Sequence, residues 1–146
     1  MRSIIWIFVF ALLTLVIAGP LLTGPMLTAL EQSDSRAQQS DDVAKSLLIG
    51  FKGRWTLSAL KTSATPAFAA SLSEEAWQRM SLYSRLGPLE DVRSCQTDGL
   101  SVLAGGGKLD VTCGVLFSFG IASVRLQIVD ENGWKINGLQ VEEITQ

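Results

Sequence analysis

The side chains that most often carry acid–base chemistry near neutral pH are scarce in this chain. Histidine is absent, which removes the commonest neutral-pH acid/base group and a common metal ligand. There is one tyrosine, Tyr83. Its hydroxyl would have to serve as the donor to an oxyanion, yet it shares a predicted helix face with Trp77 and Met80, where a core or rim tyrosine is the plainer reading. Asp91 and Arg93 precede Cys95, where either can point into a cavity, although the plainer reading leaves them outside one. Asp110 and Arg125 fall on strand positions of opposite parity to their apolar neighbours and so are expected to face solvent. Trp55 and Trp77 either line a ligand pocket or anchor helices on a sheet. Trp55, Trp77, Tyr83 and Arg93 are therefore the candidate cavity residues. No catalytic residue, metal ligand or cofactor is assigned.

Cys95 and Cys113 are the two cysteines, on what read as neighbouring strands. In an oxidising compartment they would form a disulfide worth ~3 kcal/mol by loop entropy. The alternative is two small buried residues that never meet, since strand register is not written in sequence. Two cysteines without histidine cannot close a zinc shell, and a Cys-x-x-Cys redox motif is missing. Gly105-Gly106-Gly107-Lys108 lacks the spacing of a phosphate loop and leads into a strand instead of a helix, so it reads as a flexible connection.

These residues belong to a chain of two parts. From Ile4 to Leu30, 27 residues pass without a charged side chain, where ~20 suffice to span a bilayer. Arg2 precedes the run and Glu31, Asp34, Asp41 and Asp42 follow it, the asymmetry of a cytoplasmic N-terminus with the rest exported. Either Val16-Ile17-Ala18 is a signal-peptide cleavage site, or residues 1–30 persist as a transmembrane signal anchor. Gly19-Pro20 and the apolar residues beyond it favour the anchor, because cleavage would leave an exposed apolar tail. Residues 31–40 are polar and read as a linker or a solvated helical extension. Residues 41–146 form one domain. Removing Arg2 from the net −2 leaves −3 on the chain from Glu31. The charges are scattered without a basic stripe, so nucleic acid is not an expected partner.

In the domain, Ser40 or Asp41 is expected to cap a helix carrying Val43, Leu47, Leu48 and Phe51, closed by Gly53. Trp55, Leu57 and Leu60 suggest a short second helix before Pro66. Leu72 to Leu86 shows the clearest helical pattern, with Ser71-x-x-Glu74 as a capping box and Gly87-Pro88 as a stop. Beyond Pro88 the period drops to two. A strand around Leu89–Cys95 is followed by Leu109, Val111, Cys113, Val115, Phe117 and Phe119 in alternation. Gly120 resets the register, and Ala122, Val124, Leu126 and Ile128 alternate in turn. Glu131-Asn132-Gly133 is a hairpin turn, and opposite parities on either side of Gly138 predict a bulge there. Helices followed by about four antiparallel strands in a meander define an α+β fold.

The order of elements resembles the nuclear transport factor 2-like, or cystatin-like, superfamily, in particular its small exported bacterial domains of unassigned function. The matching features run in order from Leu72-Ser73-x-Glu75-x-Trp77 through Leu86-Gly87-Pro88-Leu89 and Phe117-x-Phe119-Gly120 to Asn132-Gly133-Trp134-Lys135-Ile136-Asn137-Gly138-Leu139. They span roughly Val43 to Ile144. The resemblance implies a curved sheet wrapped on helices as a cone with a cavity at its open end. It also implies a periplasmic domain at the inner membrane of a Gram-negative bacterium, and a homodimer through the open sheet face. Relatives use the cone as isomerases or dehydratases, as small-molecule binders, or as docking domains for protein partners. Isomerase-like members need an acidic base with a tyrosine or acid donor, and a dehydratase needs a His–Asp pair that this chain lacks. The expectation is thus a non-catalytic module that docks a partner protein, the alternative being an apolar-ligand binder or an isomerase-like enzyme.

Overall fold

The computed structural model describes residues 28–79 and 85–143. The chain divides into two units at Ser35/Arg36. Residues 28–35 are helical, and among the described residues no helix is long and apolar enough to cross a membrane. The apolar run up to Leu27, with Gly19-Pro20, lies outside the described residues, as do Met80, Tyr83 and Ile144.

The second unit opens with helix α1, residues 36–49. Its small residues Ala37, Ser40 and Ala44 share a face with Leu48, and Ser40, Ala44 and Leu48 are buried. Ser40 and Asp41 do not cap this helix, contrary to expectation. They lie within it, because Glu31, Gln32, Arg36, Ala37, Gln38 and Gln39 are all good helix formers and nothing before Ser40 breaks the backbone. Ser40 Oγ instead donates to the Arg36 carbonyl at 2.6 Å. Asp41 accepts from the buried Thr97 hydroxyl at 2.6 Å, a proton shared with the Ala37 carbonyl at 3.1 Å. That contact clamps α1 to the end of the first strand. At its other end Gly53 turns the chain with φ +70, a conformation that suits glycine.

Three short helices follow: α2 Leu57–Ser63, α3 Pro66–Ser71 and α4 Glu74–Arg79. Helix α3 is an additional element ahead of the helix expected over Leu72–Leu86, whose described start is α4. Thr65 caps it through Phe68 N and Pro66 takes its first position, where a missing N–H costs nothing. Ser71 is therefore the last residue of α3, so the expected Ser71–Glu74 capping box is not formed. Ser73 caps α4 instead, accepting from Ala76 N at 3.0 Å.

The sheet is an antiparallel meander, β1 Leu89–Thr97, β2 Lys108–Phe117, β3 Gly120–Asp130 and β4 Trp134–Glu143, paired in sequence order. Strands β2 and β3 alternate without a slip. Val111, Cys113, Val115 and Phe117 meet Ala122, Val124, Leu126 and Ile128 on one buried face. Phe119 does not continue this row. Phe117 pairs with Gly120, leaving Ser118-Phe119 as a two-residue turn with Phe119 78% exposed. A Cβ on Gly87 (φ +74) would lie 2.7 Å from the Phe119 ring, so the turn rests on a position that needs glycine. The edge strands are bulged. On β1 the register shifts make Glu90 and Arg93 the extra residues. On β4 the extra residue is Asn137, beside Gly138 as expected.

Both edges are tied to the helical layer. Lys52 bridges Leu89 on β1, and Ala64 bridges Ile136 on β4. Such cover removes unpaired edge groups from water and from other chains. Cys95 and Cys113 are direct cross-strand partners and form a disulfide.

Two stability tests follow from these contacts. The bridge closes a segment of sequence separation 18, so Cys95→Ser/Cys113→Ser should lower the unfolding free energy by ~3 kcal/mol, read as a lower urea midpoint. Thr97→Val removes a hydrogen bond to a carboxylate and should cost about 1–3 kcal/mol, measured by the same titration, while far-UV circular dichroism stays unchanged.

Candidate functional site

Two of the four expected cavity residues, Trp55 and Trp77, lie in one aromatic cluster. Trp55 stands 5.0 Å from Phe117, 5.9 Å from Phe51 and 6.2 Å from Trp77, ring centre to ring centre. These distances suit edge-to-face packing, and the cluster joins the turn after α1 and helix α4 to the sheet at Phe117. Trp55 Nε1 is buried without a hydrogen-bond partner among the described residues. The structure thus brings Trp55 and Trp77 together as core. Arg93, one of the two bulged residues of β1, is exposed. Of the remaining member of that set, Tyr83, nothing is described. Asp110 and Arg125 lie on the outer sheet face, as their parity predicts, around a shallow 230 Å³ depression over Gly138.

Open space lies at the end of the sheet where β2 begins and β3 ends. Between Thr97 and Lys108 the chain forms helix α5, Gly99–Leu103, capped by Asp98. Ser101 staples this helix to β2. Its Oγ donates to the Asp98 carbonyl at 2.7 Å and accepts from Asp110 N at 3.2 Å. Asp98 N in turn donates to the Asp110 carbonyl at 2.8 Å. Gly105 (φ +64) and Gly107 (φ +69) then return the chain to β2. On the adjoining hairpin, Asn132 (φ +57) and Gly133 (φ +121) make the turn, and Asp130 Oδ1 accepts from Gly133 N at 3.0 Å. This turn fixes Trp134 at the start of β4.

Two grooves meet at Trp134. The first, 330 Å³, has Val102, Leu109 and Trp134 as apolar walls and Arg36, Gln39, Ser101 and Asp130 as polar groups. The second, 380 Å³ and more open, runs along α1 past Asp42, Val43, Ser46 and Leu47. Gln39 and Trp134 line both. An apolar group could be received against Val102, Leu109 and Trp134 while Arg36, Gln39 and Asp130 supply donors and acceptors at the rim. Among the described residues no group of three or more His, Cys, Asp or Glu could hold a metal ion.

A second polar feature crosses the sheet. Thr65 Oγ accepts from Phe68 N and donates to Asn137 Oδ1 at 3.1 Å; Asn137 Nδ2 donates to Gln127 Oε1 at 2.7 Å; Gln127 Nε2 donates to Asp110 Oδ1 at 3.2 Å. The bulge places Asn137 where it can join the cap of α3 to the outer face.

No family model matches the chain, and neither does any curated protein or solved structure.

The grooves around Trp134 have no signature of their own in the sequence. Their walls come from four separate segments, and only the Asn-Gly turn before Trp134 carried a local signal. Ser101→Ala should release α5 from β2 at a cost of about 1 kcal/mol. Amide exchange should quicken over residues 99–105 while protection in β3 is kept.

Proposed function

We propose that this chain is an exported, membrane-anchored, non-catalytic module that docks a partner protein through the paired grooves around Trp134. The carrying observation is the surface at Trp134: two adjoining grooves that share this aromatic residue are open, apolar-walled and polar-rimmed. Aromatic anchors set in such surroundings are where interface energy concentrates. The anchor rests on the 27 uncharged residues from Ile4 to Leu30. Export to an oxidising compartment such as the periplasm is supported by the disulfide. Helices preceding a bulged antiparallel meander with one covered face support a nuclear transport factor 2-like fold.

A photoreactive side chain at Ser46, exposed on the groove wall, should crosslink one protein of fixed mass in native membranes. Asp42→Arg should reduce that adduct about tenfold, the factor for a loss of ~1.4 kcal/mol. The same probe at Gln96, on the outer sheet face, should give no such adduct. Equal adducts at both positions would sink the groove as the docking site.

The 330 Å³ groove is also of a size that takes a small apolar ligand. That second reading expects a bound lipid-like molecule in mass spectra of the native protein and a rise in Tm when it is added back.

A further inference from the structure

Helix α5 presents two different faces. Val102 is 7% exposed, whereas Leu100 and Leu103, three residues apart, are 74% and 72% exposed. Single exposed leucines need no explanation. Two on one face of a five-residue helix, beside the place where the chain enters the domain, do. That place is Arg36, and Arg36 lines the same cleft as Ser101 and Val102. The uncharged run ends at Leu30, six residues before Arg36. Six residues reach at most ~20 Å even when fully extended, and ~9 Å as a helix. The headgroup region adds only ~5–8 Å beyond the hydrocarbon on each side. If the run is in the bilayer, α5 is therefore held within reach of the interface.

We infer that Leu100 and Leu103 make a second contact with the bilayer, a lipid surface being the occupant of the exposed face of α5. The inference rests on the anchored reading above. Interfacial helices bury their apolar faces ~5–10 Å deep. Two leucines would bind a membrane weakly from solution, but tethering makes the encounter intramolecular and a weak contact suffices. Charges at this end are mixed, Arg36 and Lys108 with Asp98 and Asp130. The contact is accordingly apolar, insensitive to salt and to the content of anionic lipid.

The test uses the full chain reconstituted in phosphatidylcholine vesicles, with or without phosphatidylglycerol. Both native cysteines are bridged, so a Leu103→Cys variant offers one thiol for an environment-sensitive fluorophore. The probe at 103 should show blue-shifted emission, quenched by nitroxide lipids in both vesicle types and at high salt. Leu100→Ser should weaken that quenching, which separates insertion of the helix from insertion of the probe. A probe at Phe119→Cys, in the β2–β3 turn at the other end of β2 from α5, should emit as in water. If the protein floats with vesicles while position 103 emits as in water, the second contact is wrong and the anchor stands. Quenching confined to anionic vesicles or low salt likewise overturns the apolar contact. A chain that does not float, or that begins at Gly19, overturns the anchor and this inference together.

Discussion

The unbroken alternation on β2 and β3 constrains everything around it. It gathers Val111, Val115 and Phe117 with Val124, Leu126 and Ile128 onto one face, and a sheet with one such face cannot stay uncovered in water. The helical layer answers that need, with Phe51, Trp55 and Trp77 packed down toward Phe117. The flanking strands need not alternate so strictly, because each has a free side. They absorb bulges at Glu90, Arg93 and Asn137 and accept short bridges from the segments linking the helices. The sheet edges thus fix where the helical layer attaches.

The strands were readable because burial on one face imposes a period of two that chain neighbours reveal. The bulge near Gly138 was readable for the same reason, as a change of parity. Helix boundaries were less so. Ser71 and Ser73 are both competent caps, and the choice fell to Thr65-Pro66 upstream, which starts a helix that ends on Ser71. Phe119 looked like one more strand residue. Its exposure follows from the two-residue turn, and from a packing partner, Gly87, whose need for a positive φ cannot be seen in spacing.

The candidate site was the least legible part. Trp55 and Trp77 read in the sequence as pocket or core; Trp77 lies in the buried core and Trp55 packs against it. The grooves at Trp134 depend on four segments meeting: α1, α5, the glycine turn after it and the β3–β4 hairpin. None of these carries a motif by itself, and a site made by juxtaposition appears only when register and turn geometry are known. The disulfide belongs to the same class of fact. Two cysteines on adjacent strands were plain, but the pairing that sets Cys95 opposite Cys113 depends on the bulge at Arg93.

The line of side chains from Thr65 to Asp110 has a sense of direction. Thr65 accepts from Phe68 N at the start of α3 and gives its proton to the Asn137 oxygen. The Asn137 nitrogen must then face Gln127, whose own nitrogen must face Asp110. No amide in the series can turn over by itself without setting like against like. The beginning of a helix on one side of the sheet and a carboxylate on the other are therefore geared together, and a disturbance at either end is passed along or resisted by all four side chains as a unit.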